Sequence, residues 1–578
     1  MDTSETRSSA LFSPLPTTSE AFEALSWSEI EPWYHELLNC SLAVDTLDVW
    51  MAQWSDLSAL LDETMYMRDI ACTRDTADET LVQRKQRFLT EIYSPAQELD
   101  QQIKERLLAS GLEPRGFAIP LRNLRAEASL YRAENLPLIN EDKLLNDEYF
   151  RIGGEQKVVW EDKEVPLRML TTVMKDPDRA RRERAWRVVA ARQLEDQDKL
   201  NTLWVKKMQL RQKIAQNAGF DNYRDYRWKQ LLRFDYTPDD CKAFHKAFER
   251  VLIPAVSQLR EKRRRLLGVE TLRPWDMSVN LYSHEAPRAI ADVAGFLRQF
   301  ATLFHLIDPQ LGQYFNIMLE EGLFDLETRQ HKASAGYCMP LEVRHRPFVF
   351  GHVRSIANIL SPVCHEAGHA FHLFEMAHLP YIHQRKMGAL PMEFAEVAST
   401  TMELIGSLHL HRAGICSQQE AALLRIDRFE HILLSYLPII IRADAFQHWV
   451  YDNLDLALDP QKCEEQWIAL SRRFLPAIDW GGLDREQRNG WQQYLHFYCY
   501  PFYMIEYAYA TLGAFQIWRN YLNDPQKALQ QYRYGLSLGA TRTIPELYEA
   551  AGAKFAFDDA LLEMVQRLVE ETIVELEG

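Results

Sequence analysis

Ser361-Pro-Val-Cys-His-Glu-Ala-Gly-His-Ala-Phe-His372 decides how the rest of the chain is read, because it sets His365, Glu366 and His369 in the order His-Glu-x-x-His. On a helix, residues four apart share a face, so His365 and His369 can aim imidazole nitrogens at one ion while Glu366 flanks it. Val363, Ala367, Ala370, Phe371 and Phe374 supply the apolar positions that favour a helix here. Zinc takes neutral imidazole and carboxylate ligands in a tetrahedral set, and a catalytic site leaves one position open for water. A third protein ligand is therefore expected elsewhere in the chain.

The extended pattern H-E-x-x-H-x-x-G-x-x-H does not supply it, since His372 stands where the glycine belongs and Glu375 where the third histidine belongs. That leaves a carboxylate from a following helix. Pro391-Met-Glu-Phe-Ala-Glu-Val-Ala-Ser-Thr400 offers Glu393 and Glu396, three apart and so on one helical face. One can ligate the ion while the other orients an imidazole from behind, and the spacing leaves open which does which.

His365-Glu-Ala-Gly-His-Ala-Phe-His372 followed by Glu393-Phe-Ala-Glu-Val-Ala-Ser399 resembles the thimet oligopeptidase and oligoendopeptidase F family of zinc metallopeptidases, in its shorter bacterial oligoendopeptidase branch. Three more stretches agree: Ala443-Asp-Ala-Phe-Gln-His-Trp449, His496-Phe-Tyr-Cys-Tyr-Pro-Phe-Tyr-Met-Ile-Glu-Tyr507 with Leu512-Gly-Ala514, and Ile544-Pro-Glu-Leu-Tyr-Glu-Ala-Ala-Gly552. The resemblance is strong from about Gly336 onward and weaker before it. It implies a mainly α fold, with two helical lobes enclosing a deep substrate channel and a small β element near the zinc site. It also implies one zinc ion held by His365, His369 and Glu396, and hydrolysis of short unstructured oligopeptides with Glu366 as general base. Donors to the oxyanion would come from the segment beginning at His496: Tyr507 first, Tyr500 seven residues before it as in the thimet branch, then Tyr503. Against the branch pattern, Gly351-His-Val-Arg-Ser355 replaces an Asn/Gly-rich segment, Met504 stands at a common tyrosine position, and no glycine-rich loop lies around His496 to Tyr503. These departures spare the metal chemistry and bear on substrate selection. The alternatives are a metallocarboxypeptidase or peptidyl dipeptidase on a similar helical scaffold, which needs a basic group for the substrate's terminal carboxylate, and a catalytically silent peptide-binding protein.

The wider chain fits that reading. At 578 residues it exceeds what one core usually supports. The expected organisation is a disordered amino terminus (1–18), an amino-terminal helical lobe (19–170) and a catalytic helical region (171–578). A net charge of -16 argues against a nucleic-acid partner. Eight scattered cysteines without a C-x-x-C pair suit reduced thiols in a cytosol, and the polar start, Met1 to Thr18, shows no secretory signal, so a cytoplasmic location is expected. The most apolar run, Ile432 to Ile441, contains Ser435 and Pro438 and falls far short of the ~20 residues of a spanning helix, so no membrane role is expected.

Most segments have a helical period, with breaks expected near Pro254, Pro274, Pro287 and Asp308-Pro309, and the charges of Asp178 to Leu232 read as a solvated face. Two places read as strand. Lys157 to Trp160, a charged turn and Glu164 to Leu167 suggest a hairpin, while Ala335 to Cys338 and Arg346 to Phe350 suggest strands just upstream of the metal helix. A strand there offers an edge to which an extended peptide can add main-chain hydrogen bonds.

Overall fold

The structure, a computed structural model, describes residues 11–282, 288–356 and 359–577. The break expected at Pro287 lies outside the described residues. Helices dominate, among them α1 (Leu47–Arg74), α2 (Pro238–Leu267), α3 (Glu366–Met376), α4 (Met392–Ser407), α5 (Leu437–Asp452), α6 (Met504–Asn523), α7 (Pro525–Ser537) and α8 (Ile544–Ala550). The strands are short: β1 (Lys157–Trp160), β2 (Lys163–Pro166), β3 (Phe324–Asp325), β4 (Tyr337–Leu341) and β5 (Arg346–Phe350). None of the described helices is long and apolar enough to cross a membrane.

The local chemistry explains most element ends. Thr237 and Asp240 form a capping box at the start of α2, Pro238 sits where a missing N–H costs nothing, and Gly268 closes the helix at φ +65°. The expected hairpin is β1 paired antiparallel with β2, Lys157 opposite Pro166, its turn made by Glu161 and Asp162 at positive φ. Pro254 does not break α2, which runs through it. An interior proline costs ~3 kcal/mol, and the buried row Phe248, Leu252, Ala255 and Val256 on both sides of it outweighs that cost. Pro438 likewise sits in the first turn of α5, following a π-helical turn over Ile432–Tyr436, so the apolar run bends without interruption.

By their contacts the residues fall into two units, and both are interleaved along the chain. One comprises 1–129, 287–421 and 513–555; the other 130–286, 422–512 and 556–578. This grouping differs from a linear division at residue 170, because helix faces are buried by partners distant in sequence. Within the first unit, Trp50, Trp54, Ile103 and Phe117 build an apolar core that also takes in Phe12. Ser13 donates its backbone N–H to Glu36 at 2.9 Å, so residues 11–18 are docked where a disordered segment was expected; residues 1–10 lie outside the described set.

The same unit holds a three-stranded sheet in the order β3-β5-β4, with β3 parallel and β4 antiparallel to β5 and Tyr337 opposite Phe350. β5 is central and buried from Pro347 to Phe350, with the two-residue β3 and the longer β4 as the edge strands. Helix α3 packs on β4 and β5 and is held by α4 and α7. In the second unit the charges of the stretch from Asp178 to Leu232 are not all solvated. Arg182 is buried against Asp276 at 3.2 Å, Lys207 against Asp142 at 2.8 Å, and Arg211 donates to the Phe497 carbonyl at 2.8 Å. Buried cations of this kind are tolerated because carboxylates and backbone carbonyls take up their N–H groups.

Candidate metal centre

His365 is the last residue of a π-helical turn, Leu360–His365, and Glu366 the first of α3. A π turn widens the helix by one residue and re-aims the side chains that follow it. Helix α4 approaches from the other side, buried at every position from Glu393 to Ser407. The two helices come close because Gly368 has no side chain: a Cβ there would lie 2.5 Å from the Ala398 carbonyl oxygen and 2.6 Å from the Ser399 Cα.

This approach sets Nε2 of His365 3.5 Å and Nε2 of His369 3.8 Å from the same oxygen, Oε2 of Glu396. Two ligands on one tetrahedral zinc ion, each about 2.0 Å from it, stand roughly 3.3 Å apart. The three donors therefore fit one such ion with small adjustments. Among the described residues they form one of two groups of histidine, cysteine and carboxylate donors compact enough for a metal.

The surrounding groups orient the donors. Glu403 accepts a hydrogen bond from Nδ1 of His365 at 2.8 Å, which turns Nε2 toward Glu396. Ser399 donates to Glu396 Oε2 at 3.0 Å, while the Tyr532 hydroxyl holds the Ala398 carbonyl at 2.9 Å and that of Tyr548 the Glu393 carbonyl at 2.9 Å. The orienting acid is thus Glu403, in the role the spacing had offered to Glu393 or Glu396. Its position was readable: seven residues after Glu396 is nearly two full turns, which returns to the same helix face.

Burial alone would push the His365 imidazole down, but the hydrogen bond and charge of Glu403, with Glu396 and Glu366 nearby, carry it up to about 9. The His369 imidazole is pushed well down by burial and by His365 and so is already neutral, as a metal ligand must be, whereas His365 has to give up its proton when a metal binds. Burial pushes the Glu366 carboxyl up to about 7, with His365 opposing and Glu396 and Glu403 adding to the rise. A carboxyl in that range can both accept and give up a proton near neutrality. Gly336, just ahead of edge strand β4, faces this carboxylate: a Cβ on it would stand 3.6 Å from Glu366 Oε1.

Two neighbouring donors stand apart from this group: Glu375 accepts from Arg533 at 2.6 Å, and His372, fully buried and packed edge-on against Phe394, is not among the three converging donors. His496, Tyr500, Tyr503 and Tyr507 belong to the second unit. There the His496 and Tyr503 rings stack at 6.1 Å, Tyr503 meets Tyr507 edge-on at 5.2 Å, and Tyr500 is 46% exposed. Burial pushes the His496 imidazole down, so it is neutral at neutral pH.

The family model for Peptidase family M3 matches residues 172–567. The chain belongs to peptidase family M3. It is a metallopeptidase, with a metal cofactor and peptide substrates. No curated protein sequence matches this M3 peptidase. Solved structures similar to it include a PZ peptidase A with an inhibitor (24% identity, TM-score 0.83, covering 97% of this chain and 98% of that one). Another is described as an oligoendopeptidase F (24%, 0.84, 96% and 97%). A third is an oligoendopeptidase F from Bacillus anthracis str. Ames (20%, 0.80, 95% and 97%). At these identities the structures establish a shared, predominantly helical fold.

Proposed function

We propose that this M3 peptidase is a zinc-dependent endopeptidase for short, unstructured oligopeptides, with His365, His369 and Glu396 as ligands and Glu366 as general base. The observation that carries the reading is the convergence of two Nε2 atoms on one Glu396 oxygen, with Glu366 beside them and Glu403 behind. A zinc ion bound there polarises a peptide carbonyl and brings the pKa of a bound water to about 7.

The chain's own groups do the rest. Glu366 accepts the attacking water's proton on its carboxylate and delivers it to the leaving amine. The β4 edge ahead of it gives an extended substrate main-chain partners, which fixes the scissile bond without demanding a particular side chain. Hydroxyl donation to the oxyanion is assigned to Tyr507, then Tyr500 and Tyr503, with His496 in the same segment. Removing a single donor of this kind typically costs ~10²–10³ in kcat.

Internally quenched peptides blocked at both ends test the reading. Cleavage that stops with a chelator and returns with zinc is the expected result. Cleavage confined to peptides with a free carboxyl end would favour a carboxypeptidase or peptidyl dipeptidase, and binding without cleavage a silent peptide-binding protein.

A further inference from the structure

The second unit contains another set of donor side chains, which the catalytic reading does not use. Cys241 and His245 stand four apart on α2, and Asp444 and His448 four apart on α5. Each helix thus presents two donors on one face, and α2 packs along α5. All four are buried, at 0%, 5%, 0% and 2% exposure in the order Cys241, His245, Asp444, His448. Metal sites in helical bundles are built in this way, from inward-facing pairs on adjacent helices.

The distances suit an ion. The Cys241 sulfur, an Asp444 carboxylate oxygen and a His448 ring nitrogen all lie within 4.8 Å of one another. His245 Nε2 is 2.8 Å, and His448 Nε2 3.4 Å, from Asp444 Oδ2. The second is close to the roughly 3.3 Å between neighbouring ligands of tetrahedral zinc, whereas His245, hydrogen-bonded to Asp444 and outside the compact group of three, joins them only by a shift of its ring.

A network of hydrogen bonds alone leaves this cluster incomplete. Asp444 Oδ1 and His448 Nδ1 are buried with no hydrogen-bond partner, and His448 Nε2 has only the long 3.4 Å contact with Asp444 Oδ2; each orphan costs roughly 1–3 kcal/mol. Trp228 and Phe502 wall His448 with their rings, at 6.0 and 5.3 Å, so water has little access there. A divalent cation resolves the deficit. The thiolate and carboxylate together cancel its charge, and two neutral imidazoles complete four donors, so no net charge is buried. Sulfur and imidazole select zinc over magnesium or calcium, which prefer oxygen.

We propose that Cys241, His245, Asp444 and His448 bind a second zinc ion, in a closed structural site that joins α2 to α5. On binding, the Cys241 thiol releases its proton to solvent and coordinates as thiolate, while the Asp444 to His245 contact opens slightly to admit the ion. With four protein ligands and no open position, the site holds helices together and leaves hydrolysis to the centre on α3 and α4.

Metal analysis of the full-length protein tests this, because the two sites differ in sulfur. The wild-type protein is expected to carry about two zinc ions per chain and His369→Ala about one. Protein produced in cobalt medium should show a thiolate-to-cobalt charge-transfer band, which a site of two histidines and a glutamate cannot give. His369→Ala should keep that band, and Cys241→Ser should lose it. Loss of all zinc from His369→Ala, absence of the band from wild-type cobalt protein, or its persistence in Cys241→Ser would each overturn the proposal.

Discussion

Replacing Gly368 with alanine is expected to disable the metal centre without touching a ligand. The added methyl group would stand 2.5 Å from the Ala398 carbonyl oxygen and 2.6 Å from the Ser399 Cα, against an ordinary contact of 3.4 Å or more. The shortfall of about 0.9 Å falls on backbone, so no side chain can rotate to relieve it. Helix α3 must move from α4 by about that much, which stretches the His365 and His369 separations from Glu396, now 3.5 and 3.8 Å, to about 4.5 Å. Ligand distances in a working site are held to within about 0.2 Å. Alanine gains about 1 kcal/mol of helix propensity over glycine, while overpacking costs ~1–3 kcal/mol, so stability changes little and ligand geometry changes most. Chelator-treated Gly368→Ala protein, reactivated across a series of buffered free-zinc concentrations, should need about 10–100 times more zinc than wild type to recover half its peptidase activity. Recovery at the wild-type concentration, to the wild-type rate, would refute the argument that the close α3–α4 approach builds the site.

Other perturbations probe separate parts of the account. Glu403→Gln keeps the shape but weakens the hydrogen bond to His365 Nδ1, and should lower zinc affinity in the same reactivation assay by about 10-fold or more. Tyr507→Phe should lower kcat by ~10²-fold with KM nearly unchanged; an unaltered kcat would move the oxyanion role to Tyr500 or Tyr503. Asp325 is a buried carboxylate with a distinct pH signature. Burial alone would raise its pKa, but Arg329 at 2.6 Å and Lys332 at 2.9 Å hold it well below the usual carboxylate range. A depressed folded pKa gives stability that is present above the unfolded value near 4 and lost as pH falls through the folded one. Asp325→Asn should therefore destabilise by about 3 kcal/mol at pH 7, with the buried Lys332 charge left without its carboxylate, and the gap in unfolding free energy should begin to narrow below about pH 4 and go on closing as pH falls through the folded value. A gap independent of pH would argue against the charge pairing.

Much of this was legible from local pattern. Helical period placed α3 and α4, alternating β-branched and aromatic residues placed the hairpin and the β4–β5 pair, and His-Glu-x-x-His with the Glu396 segment marked three donors that the fold brings together. What escaped the sequence depends on tertiary packing. Glu403 acquires its role only when α4 lies against α3, although its seven-residue offset from Glu396 was visible. Pro254 reads as a helix breaker until the burial of Leu252 and Val256 is counted. Arg182, Lys207 and Arg211 look like surface charges because nothing local announces the carboxylates and carbonyls, up to hundreds of residues away, that receive them. The interleaving of the two units has the same origin, since segments group by the apolar faces they share and not by chain order.

The central claim, that Glu366 moves the proton while His365, His369 and Glu396 hold the metal, is tested most directly by Glu366→Gln. Amide for carboxylate preserves shape and removes the base. Metal content and cleavage of a doubly blocked quenched peptide are measured on the same preparation. Wild-type zinc content with kcat reduced by about 10²–10⁴-fold is the expected result. Near-wild-type turnover at full zinc content would contradict it.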